Sequence, residues 1–300
     1  MAFQLGIALG GGAAKGLAHL GVLKALEESG VQIDIVTGTS IGSIIGSIYA
    51  ANPDAKATIS KIDEYLSSED FNRSRLDFIQ KSDQETAGTM GQLKKIVRTG
   101  YFFARSLRNS SFISEKAFRE NLTHIIPDQN IEDCKISLGL VSVSLTTGEK
   151  ISFTQGPLID RVMASCAIPG IFPPLTIDGD LLSDGSWINP IPVSLARELG
   201  ADLVIAVDVA PTMKSAPLAA DANGWNISIK ANEISRIFLK QRDLEDADLS
   251  IPIDAEVAHW ADFSKIHSCI EAGEKATLKQ IDAIKSKIAL RKFTRFFIKK

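Results

Sequence analysis

Short apolar runs alternate with segments of helical periodicity over the first 50 residues. The run Gln4–Leu9 predicts a strand and ends in three consecutive glycines. From Leu17 to Leu26, apolar residues recur at three- and four-residue steps, which predicts a helix. Ile33–Val36 predicts a second strand, and Ile41–Ala51 predicts a second helix. Because short connections join these elements in alternation, the pattern predicts a parallel sheet flanked by helices.

Sheet character returns later in the chain. The apolar runs Ile136–Val143 and Leu203–Asp208 predict further buried strands, and Leu249–Ile253 predicts a short one. Around the last of these, the periodicity predicts two long helices, Trp225–Asp246 and Phe263–Ile288. The second half of the chain therefore continues the α/β pattern.

Three segments are less regular. Residues 54–133 are polar and predict only helices; within them, Leu93–Arg105 predicts either an amphipathic helix covering the sheet or a lid that meets lipid. Residues 211–224 predict a surface loop. The tail, residues 291–300, carries five cations and three phenylalanines. That composition suits either an anionic membrane surface or a solvated helix end.

Composition narrows the functional classes. The 300 residues are 45% hydrophobic and 23% charged with a net charge of −3, so no basic excess directs the chain to nucleic acid. The three cysteines (Cys134, Cys166 and Cys269) lack the spacing of a zinc site or a disulfide framework. No secretory signal or apolar run of about 20 residues is visible. We therefore expect a cytoplasmic protein, with peripheral membrane contact still open.

The pentapeptide Gly38–Gly42 matches G-x-S-x-G, with Ser40 at its centre, between a predicted strand and a predicted helix. A tight turn in that place exposes the serine hydroxyl and needs flanking glycines for close backbone packing. The alternative is that Ser40 is an ordinary helix N-cap.

A second glycine-rich turn, Gly10–Gly16, also joins a strand to a helix and leaves backbone N–H groups for an anion. A phosphate loop requires Gly-Lys-Ser/Thr, but Lys15 precedes Gly16 and a leucine. A dinucleotide fingerprint requires glycine where Lys15 stands, although Asp34 is at a tolerable distance. An oxyanion hole has no further requirement.

A serine nucleophile needs a base. The chain has four histidines (His19, His124, His259 and His267), and a Ser–acid–His order leaves His259 or His267 for that role. The helical pattern around His267 favours a solvated or capping residue, and His19, one turn into the first predicted helix, is expected to be a packing residue. Asp184 lies in a Ser-Asp-Gly-Ser turn, where the glycine lets other backbone approach the carboxylate.

At this point the motifs identify a family. The sequence resembles the patatin-like phospholipases, particularly their bacterial branch related to the neuropathy-target-esterase catalytic domain, over roughly residues 5–210. Four segments carry the resemblance in order: Gly10–Leu23, Gly38–Gly42, Ala164–Pro174, and Asp184–Ser186 followed by Asn189–Pro192.

The resemblance implies a three-layer α/β/α patatin-like fold with a mainly parallel central sheet. It implies a catalytic domain over residues 5–210, with residues 211–300 as a C-terminal helical extension packed on the same core. No motif encodes the oligomeric state.

The resemblance also implies a Ser–Asp dyad, with Ser40 as nucleophile and Asp184 as general base. The oxyanion hole would come from Gly11, Gly12 and Ala13, with Lys15 orienting the loop. The supporting motif residues are Gly10, Lys15, Gly16, Gly38, Gly42 and Gly185. Two positions depart from the family pattern: Ala13 replaces a glycine, and Ser186 replaces a smaller residue.

The function implied is hydrolysis of a phospholipid, a lysophospholipid or another fatty-acyl ester through an acyl-serine intermediate, without metal or cofactor. Two alternatives remain at this stage. A dinucleotide-dependent oxidoreductase would use the glycine turn for pyrophosphate, and an adaptor would keep the scaffold with little turnover.

Overall fold

One mixed β-sheet forms the centre of the computed structural model, which describes residues 2–73, 111–209, 224–257 and 260–298. Within these residues the strands are β1 (Leu5–Leu9), β2 (Ile35–Thr39), β3 (Ser137–Ser144), β4 (Lys150–Phe153), β5 (Leu175–Ile177), β6 (Asp180–Asp184), β7 (Leu203–Asp208) and β8 (Leu249–Pro252).

Helices connect and cover the strands. In chain order they are α1 (Ala18–Glu28), α2 (Ile41–Ala51), α3 (Ala55–Leu66), α4 (Glu69–Arg73), α5 (Glu115–Thr123), α6 (Leu158–Ser165), α7 (Val193–Glu198), α8 (Gly224–Glu245), α9 (Ile266–Leu278) and α10 (Ile281–Ile298). Short 3-10 turns occur at Ala13–Leu17, Ile131–Asp133, Gly185–Trp187 and Phe263–Lys265.

The hydrogen-bonded path through the sheet is β5-β6-β3-β2-β1-β7-β8, and β4 pairs with β3. The pairs among β1, β2, β3, β7 and β8 are parallel, whereas β4, β5 and β6 pair antiparallel. Helices lie on both faces, so β1 is buried throughout. Leu5, Ile7 and Leu9 of this strand join the larger core, while Ala8 joins the smaller one. The prediction of a mainly parallel α/β/α fold is confirmed.

The prediction of one continuous helix over Phe263–Ile288 is wrong. The segment begins with a 3-10 turn, α9 ends at Leu278, and α10 begins at Ile281. The Gln280 N–H donates to the Thr277 carbonyl at 2.9 Å, which closes a turn between the two helices. No glycine or proline marks this break in the sequence.

The C-terminal segments contact the first half of the chain closely. β8 pairs with β7, and α9 packs along α1. A Cβ added at Gly21 would lie 1.9 Å from the Ile270 carbonyl oxygen, and one added at Gly273 would lie 2.0 Å from that of Ala18. These two glycines therefore bring the helix backbones together.

Two of the sequence predictions lie outside the described residues. They are the amphipathic segment Leu93–Arg105 and all of the surface loop over residues 211–224 except Gly224. In the part of the chain that the structure describes, no helix has both the length and the apolar character needed to cross a bilayer.

Candidate active site

Ser40 stands in the turn between β2 and α2 and is 7% exposed. Its φ of 54° lies in the region that disfavours side chains, so its backbone is strained. The flanking glycines are needed: a Cβ at Gly38 would lie 2.4 Å from the Gly42 carbonyl oxygen, and one at Gly42 would lie 2.1 Å from the Leu9 carbonyl oxygen. The Ser40 side chain makes no capping hydrogen bond to α2, which contradicts the N-cap alternative.

Neighbouring polar groups hold the Ser40 backbone in this conformation. The Ser40 N–H donates to Ser165 Oγ at 3.1 Å. The Ser40 carbonyl accepts from Ser43 Oγ at 2.6 Å and from Cys166 Sγ at 3.1 Å. Sequence reasoning assigned no role to these three residues, although Ser165 and Cys166 fall within the Ala164–Pro174 motif. Their position in that motif was the available signal.

Asp184 reaches Ser40 because two strands share one edge of β3. β2 ends with Thr39 opposite Val141, and β6 ends with Asp184 opposite Ser142. β4 also pairs with Val141 and Ser142, so it occupies the other edge. The ends of β2 and β6 therefore meet along β3, which places the serine after one strand beside the aspartate that ends the other.

The Asp184 carboxylate is 2% exposed and is held by hydrogen bonds. It accepts from the Ser186 N–H at 2.8 Å, and the side chains of Ser40 and Ser186 are close enough to favour its ionised form. Burial raises the pKa of Asp184, while the neighbouring Ser40 and Ser186 groups and the charge of Arg236 act in the opposite direction. The backbone of Val141 approaches Gly185 closely, as the sequence predicts for a glycine after Asp184. A Cβ at Gly185 would lie 2.3 Å from the Val141 carbonyl oxygen.

The glycine turn requires one correction. The Gly11 N–H donates to the Pro190 carbonyl at 3.0 Å, so it is already engaged and is not a free oxyanion donor. Among the described residues, no acceptor lies within hydrogen-bonding distance of the N–H groups of Gly12 and Ala13. Ala13 has a φ of 49°, a left-handed conformation in which glycine is less strained. Of the three N–H groups expected to face an oxyanion, those of Gly12 and Ala13 therefore remain unengaged among the described residues.

Two further contacts hold this turn. His19 Nε2 lies 2.7 Å from the Gly10 carbonyl oxygen, and the Ala14 N–H donates to the Trp260 carbonyl at 2.9 Å. Burial lowers the pKa of His19 to about 4, so the ring is neutral near pH 7 and donates through Nε2–H.

Lys15 does not orient the turn in the way expected. Within the described residues its side chain makes no hydrogen bond or ion pair, which leaves that task to the backbone contacts. Gly16 contributes through close packing, because a Cβ there would lie 2.1 Å from Ile41 Cγ2.

The described histidines do not complete a catalytic triad. The His267 side chain is 78% exposed, and its Nε2 lies 3.8 Å from Asp63. His124 stacks on Tyr65, and His19 is committed to the glycine turn. His259 lies outside the described residues. Asp184 is thus the titratable side chain that the structure brings to the Ser40 hydroxyl.

The dinucleotide alternative fails on the position of Asp34. Its carboxylate accepts from the Leu5 N–H at 2.8 Å, at the beginning of β1. The glycine turn follows the opposite end of that strand. Asp34 and the glycine turn therefore lie at opposite ends of β1 and do not form one nucleotide site.

An apolar cavity opens beside Ser40, with a volume of about 110 Å³. Its polar lining residues include Tyr65 and Asn121. The Tyr65 hydroxyl donates to Asn121 Oδ1 at 3.0 Å. Most of the wall is aliphatic or aromatic: Ala13, Leu17, Ile41, Ile44, Ile62, Leu66, Phe71, Phe118, Leu122, Ile125, Ile168, Phe172, Trp260 and Phe263. The cavity suits a hydrocarbon chain better than a polar head group.

Comparison with known proteins decides the family. The sequence profile described as patatin-like phospholipase matches residues 7–197, well over half of the chain. The chain belongs to the patatin-like phospholipase family.

Its relatives include the patatin-like phospholipase domain-containing protein ZK370.4 of Caenorhabditis elegans. That protein is 35% identical over 207 residues, which cover 68% of this patatin-like chain and 13% of the relative. Lysophospholipase NTE1 of Kluyveromyces lactis is 29% identical over 235 residues, covering 77% of this chain and 14% of the relative. The crystal structure of VipD from Legionella pneumophila matches at a TM-score of 0.46 and 16% identity, covering 94% of this chain and 67% of that one. The chain thus spans about one seventh of the length of these two sequence relatives.

The family match ends before the C-terminal part of the patatin-like site. Trp260 and Phe263 line the cavity beside Ser40, and the Trp260 carbonyl holds the glycine turn. Both residues lie beyond residue 197, where the family match stops. This patatin-like chain therefore completes its cavity with residues outside the matched segment.

Proposed function

We propose that the protein is a serine acyl-hydrolase that cleaves fatty-acyl esters of lysophospholipids or phospholipids. One observation carries the proposal: a strained serine, Ser40, and the buried carboxylate of Asp184, on whose ionisation the Ser40 side chain acts, lie together beside an apolar cavity. Family membership and a relative named as a lysophospholipase support the substrate class.

In this mechanism, Ser40 Oγ attacks the ester carbonyl carbon while Asp184 takes the hydroxyl proton. The carbonyl oxygen becomes an oxyanion that accepts from the N–H groups of Gly12 and Ala13. Collapse breaks the carbon–oxygen bond of the ester, and the leaving alkoxide takes the proton from Asp184. Water then attacks the acyl-serine with Asp184 again accepting a proton, which releases the fatty acid and restores Ser40.

The environment of Asp184 suits it to this role. A carboxylate with an ordinary pKa near 4 is a weak base at neutral pH. Burial raises the pKa of Asp184, which makes its ionised form a stronger proton acceptor. The apolar cavity would receive the acyl chain and leave the ester carbonyl at Ser40.

Kinetics on three substrates test the proposal: a p-nitrophenyl ester, a lysophosphatidylcholine and a phosphatidylcholine. Ser40→Ala and Asp184→Asn should each lower the rate by about 100-fold or more, since each removes the nucleophile or its base. Asp180→Asn is the matched control, because Asp180 lies in the same strand but bonds Ser144 Oγ. Full activity in Ser40→Ala would contradict the proposal.

We also propose that residues 211–300 form one folding unit with the catalytic domain, residues 5–210. The close backbone contacts at Gly21 and Gly273, and the bond from Ala14 to the Trp260 carbonyl, support this. A chain ended after residue 209 should be insoluble or lack a cooperative thermal transition. A soluble truncated form with normal ester hydrolysis would refute the proposal that the two segments form one folding unit.

A further inference from the structure

The first peptide group of the glycine turn is held from both sides. Its oxygen, the Gly10 carbonyl, accepts from His19 Nε2–H at 2.7 Å. Its N–H, that of Gly11, donates to the Pro190 carbonyl at 3.0 Å. Because the oxygen and the hydrogen of a trans peptide point in opposite directions, these two bonds fix the direction in which the group points.

A second peptide group continues these hydrogen bonds to α8. The Pro190 carbonyl belongs to the same peptide group as the Ile191 N–H, which donates to Asp243 Oδ2 at 3.0 Å. Ile191 is 2% exposed and Asp243 is 4% exposed, so this bond is shielded from solvent. The hydrogen-bonded series thus runs from His19 to Asp243, with every bond donated in the same sense. Aligned bonds of this kind strengthen one another in a buried site, and a charged acceptor adds to their strength.

Contacts with the sheet fix the position of Asp243 independently of the glycine turn. Lys240, which precedes Asp243 by one helical turn, pairs with Asp208 at the end of β7 at 3.0 Å. Leu244, the next residue in α8, packs against the smaller core. Because β7 is parallel to β1, this end of the sheet is also the end from which the glycine turn begins. α8 therefore presents the carboxylate from a fixed support.

The Asp243 carboxylate lowers the stability of the fold near neutral pH. Burial raises the pKa of Asp243 to about 6, although the Ile191 N–H and the charge of Arg242 act in the opposite direction. The ionised form that prevails near pH 7 is therefore unfavourable to folding. Titratable groups with shifted pKa values are concentrated at functional sites. A buried carboxylate that does not favour folding therefore indicates a role in the site.

We propose that Asp243 is a positioning residue for the oxyanion hole, which it orients through the Pro190–Ile191 peptide and the Gly10–Gly11 peptide. The N–H groups of Gly12 and Ala13 follow directly in the chain, so a rotated Gly11 peptide would turn them away from the ester carbonyl. This inference rests on the proposed acyl-hydrolase function. Because Asp243 lies beyond residue 197, where the family match ends, the C-terminal part of the chain contributes this support.

Kinetics of the full chain on a soluble p-nitrophenyl ester test the proposal. Asp243→Ala removes the acceptor and should lower kcat by at least about 20-fold, because oxyanion donors act only when they are correctly placed. KM should change by less than about threefold, since Asp243 is not among the described residues that line the cavity. Asp243→Asn keeps an acceptor oxygen without the charge and should lower kcat by no more than about fivefold.

Asp248→Ala is the matched control. The Asp248 carboxylate also accepts from a buried backbone N–H, that of Val204 at 2.8 Å, but it does so near the start of β7. The proposed oxyanion hole lies beyond the opposite ends of the strands, so this variant should change kcat by less than about twofold even where its Tm falls. If Asp243→Ala shows no cooperative thermal transition, Asp243→Leu replaces it with the same expectation, because leucine has the same branched shape without an acceptor.

Amide hydrogen exchange measured by NMR separates this inference from the proposed function. In Asp243→Ala, the Gly11 N–H should exchange at least about tenfold faster than in the parent, whereas Asp248→Ala should leave its exchange rate unchanged. If the parent hydrolyses no ester while the Gly11 exchange responds in this way, the proposed function fails and the hydrogen-bonded series stands.

Four results would overturn the positioning role. They are a parental kcat in Asp243→Ala, no recovery of kcat in Asp243→Asn, an equal loss of kcat in Asp248→Ala, and an unchanged Gly11 exchange rate in Asp243→Ala.

Discussion

Gly11 should be intolerant of a side chain because of a single neighbouring atom. A Cβ added at Gly11 would lie 2.3 Å from Ser186 Oγ but 3.4 Å from Ser186 Cβ and 3.5 Å from Ser40 Cβ. In Gly11→Ala, the Ser186 hydroxyl must therefore move, while the other two contacts are ordinary. The Ser186 side chain is one of the groups that favour the ionised form of Asp184.

The expected loss follows from these contacts. Overpacking of this kind costs about 1–3 kcal/mol, and a hydrogen bond to a charged group contributes about 1.5–3 kcal/mol. Gly11→Ala should lower kcat/KM by about 10- to 100-fold, which is about 1.4–2.7 kcal/mol. Ser186→Ala removes the clashing hydroxyl, so adding Gly11→Ala to that variant should cost less than about threefold more.

A double-mutant cycle on soluble-ester kinetics measures this coupling. Gly12→Ala is the control, because its Cβ would lie 2.3 Å from Val209 Cγ2 instead, and Ser186→Ala should not rescue it. Additive losses for Gly11→Ala and Ser186→Ala would refute the reasoning. Equal rescue of the Gly12→Ala variant would refute it as well.

Three further predictions concern protonation and the serine turn. The acid limb of the kcat/KM profile should lie above the ordinary aspartate pKa, and Ser186→Ala should move it higher, because the Ser186 hydroxyl favours the ionised form of Asp184; an unmoved limb would contradict this assignment. Burial raises the pKa of Asp243 to about 6, so its contribution to stability is largest at acid pH and is lost as the pH rises through about 6. The lowered pKa of His19 acts in the opposite direction, since stability is lost as the pH falls from about 6.5 toward 4. Because an asparagine at this position could not ionise, Asp243→Asn should raise the free energy of unfolding near pH 7 by up to about 3 kcal/mol. The variant should also lose stability more steeply than the parent as the pH falls. Urea denaturation that shows the same pH dependence of stability in both proteins would count against this prediction. Ser165→Ala removes the acceptor of the buried Ser40 N–H and should lower kcat by about tenfold with the fold intact, whereas an unchanged kcat would show that the strained turn needs no such support.

The parts of the site that depend on neighbouring residues could be predicted from sequence. The turn at Ser40 needs only a strand, two glycines and a helix in order, and these stand within Ile35–Ala51. Asp184 could be assigned only through the family resemblance, because its position depends on the pairing of β6 with β3. The periodic pattern carries no information about which strands share an edge.

The predictions that the structure corrects failed for the same reason, because each depends on contacts that the local sequence pattern does not show. Gly11 looks like an oxyanion donor until Pro190, distant in sequence, is seen to accept from its N–H. Lys15 sits where the family carries a basic residue, but the His19 side chain and the Trp260 carbonyl hold the turn. The break between α9 and α10 leaves no mark in the hydrophobic pattern, because apolar residues continue on both sides of it.

The central claim is that Ser40 is the nucleophile and Asp184 its base. Peptide mapping by mass spectrometry after treatment with a fluorophosphonate probe tests it most directly, because the probe bonds covalently to an activated serine. The account predicts one adduct, on the peptide containing Ser40, absent in Ser40→Ala and formed at least about 100-fold more slowly in Asp184→Asn. An adduct on another serine, or an undiminished labelling rate in Asp184→Asn, would contradict it.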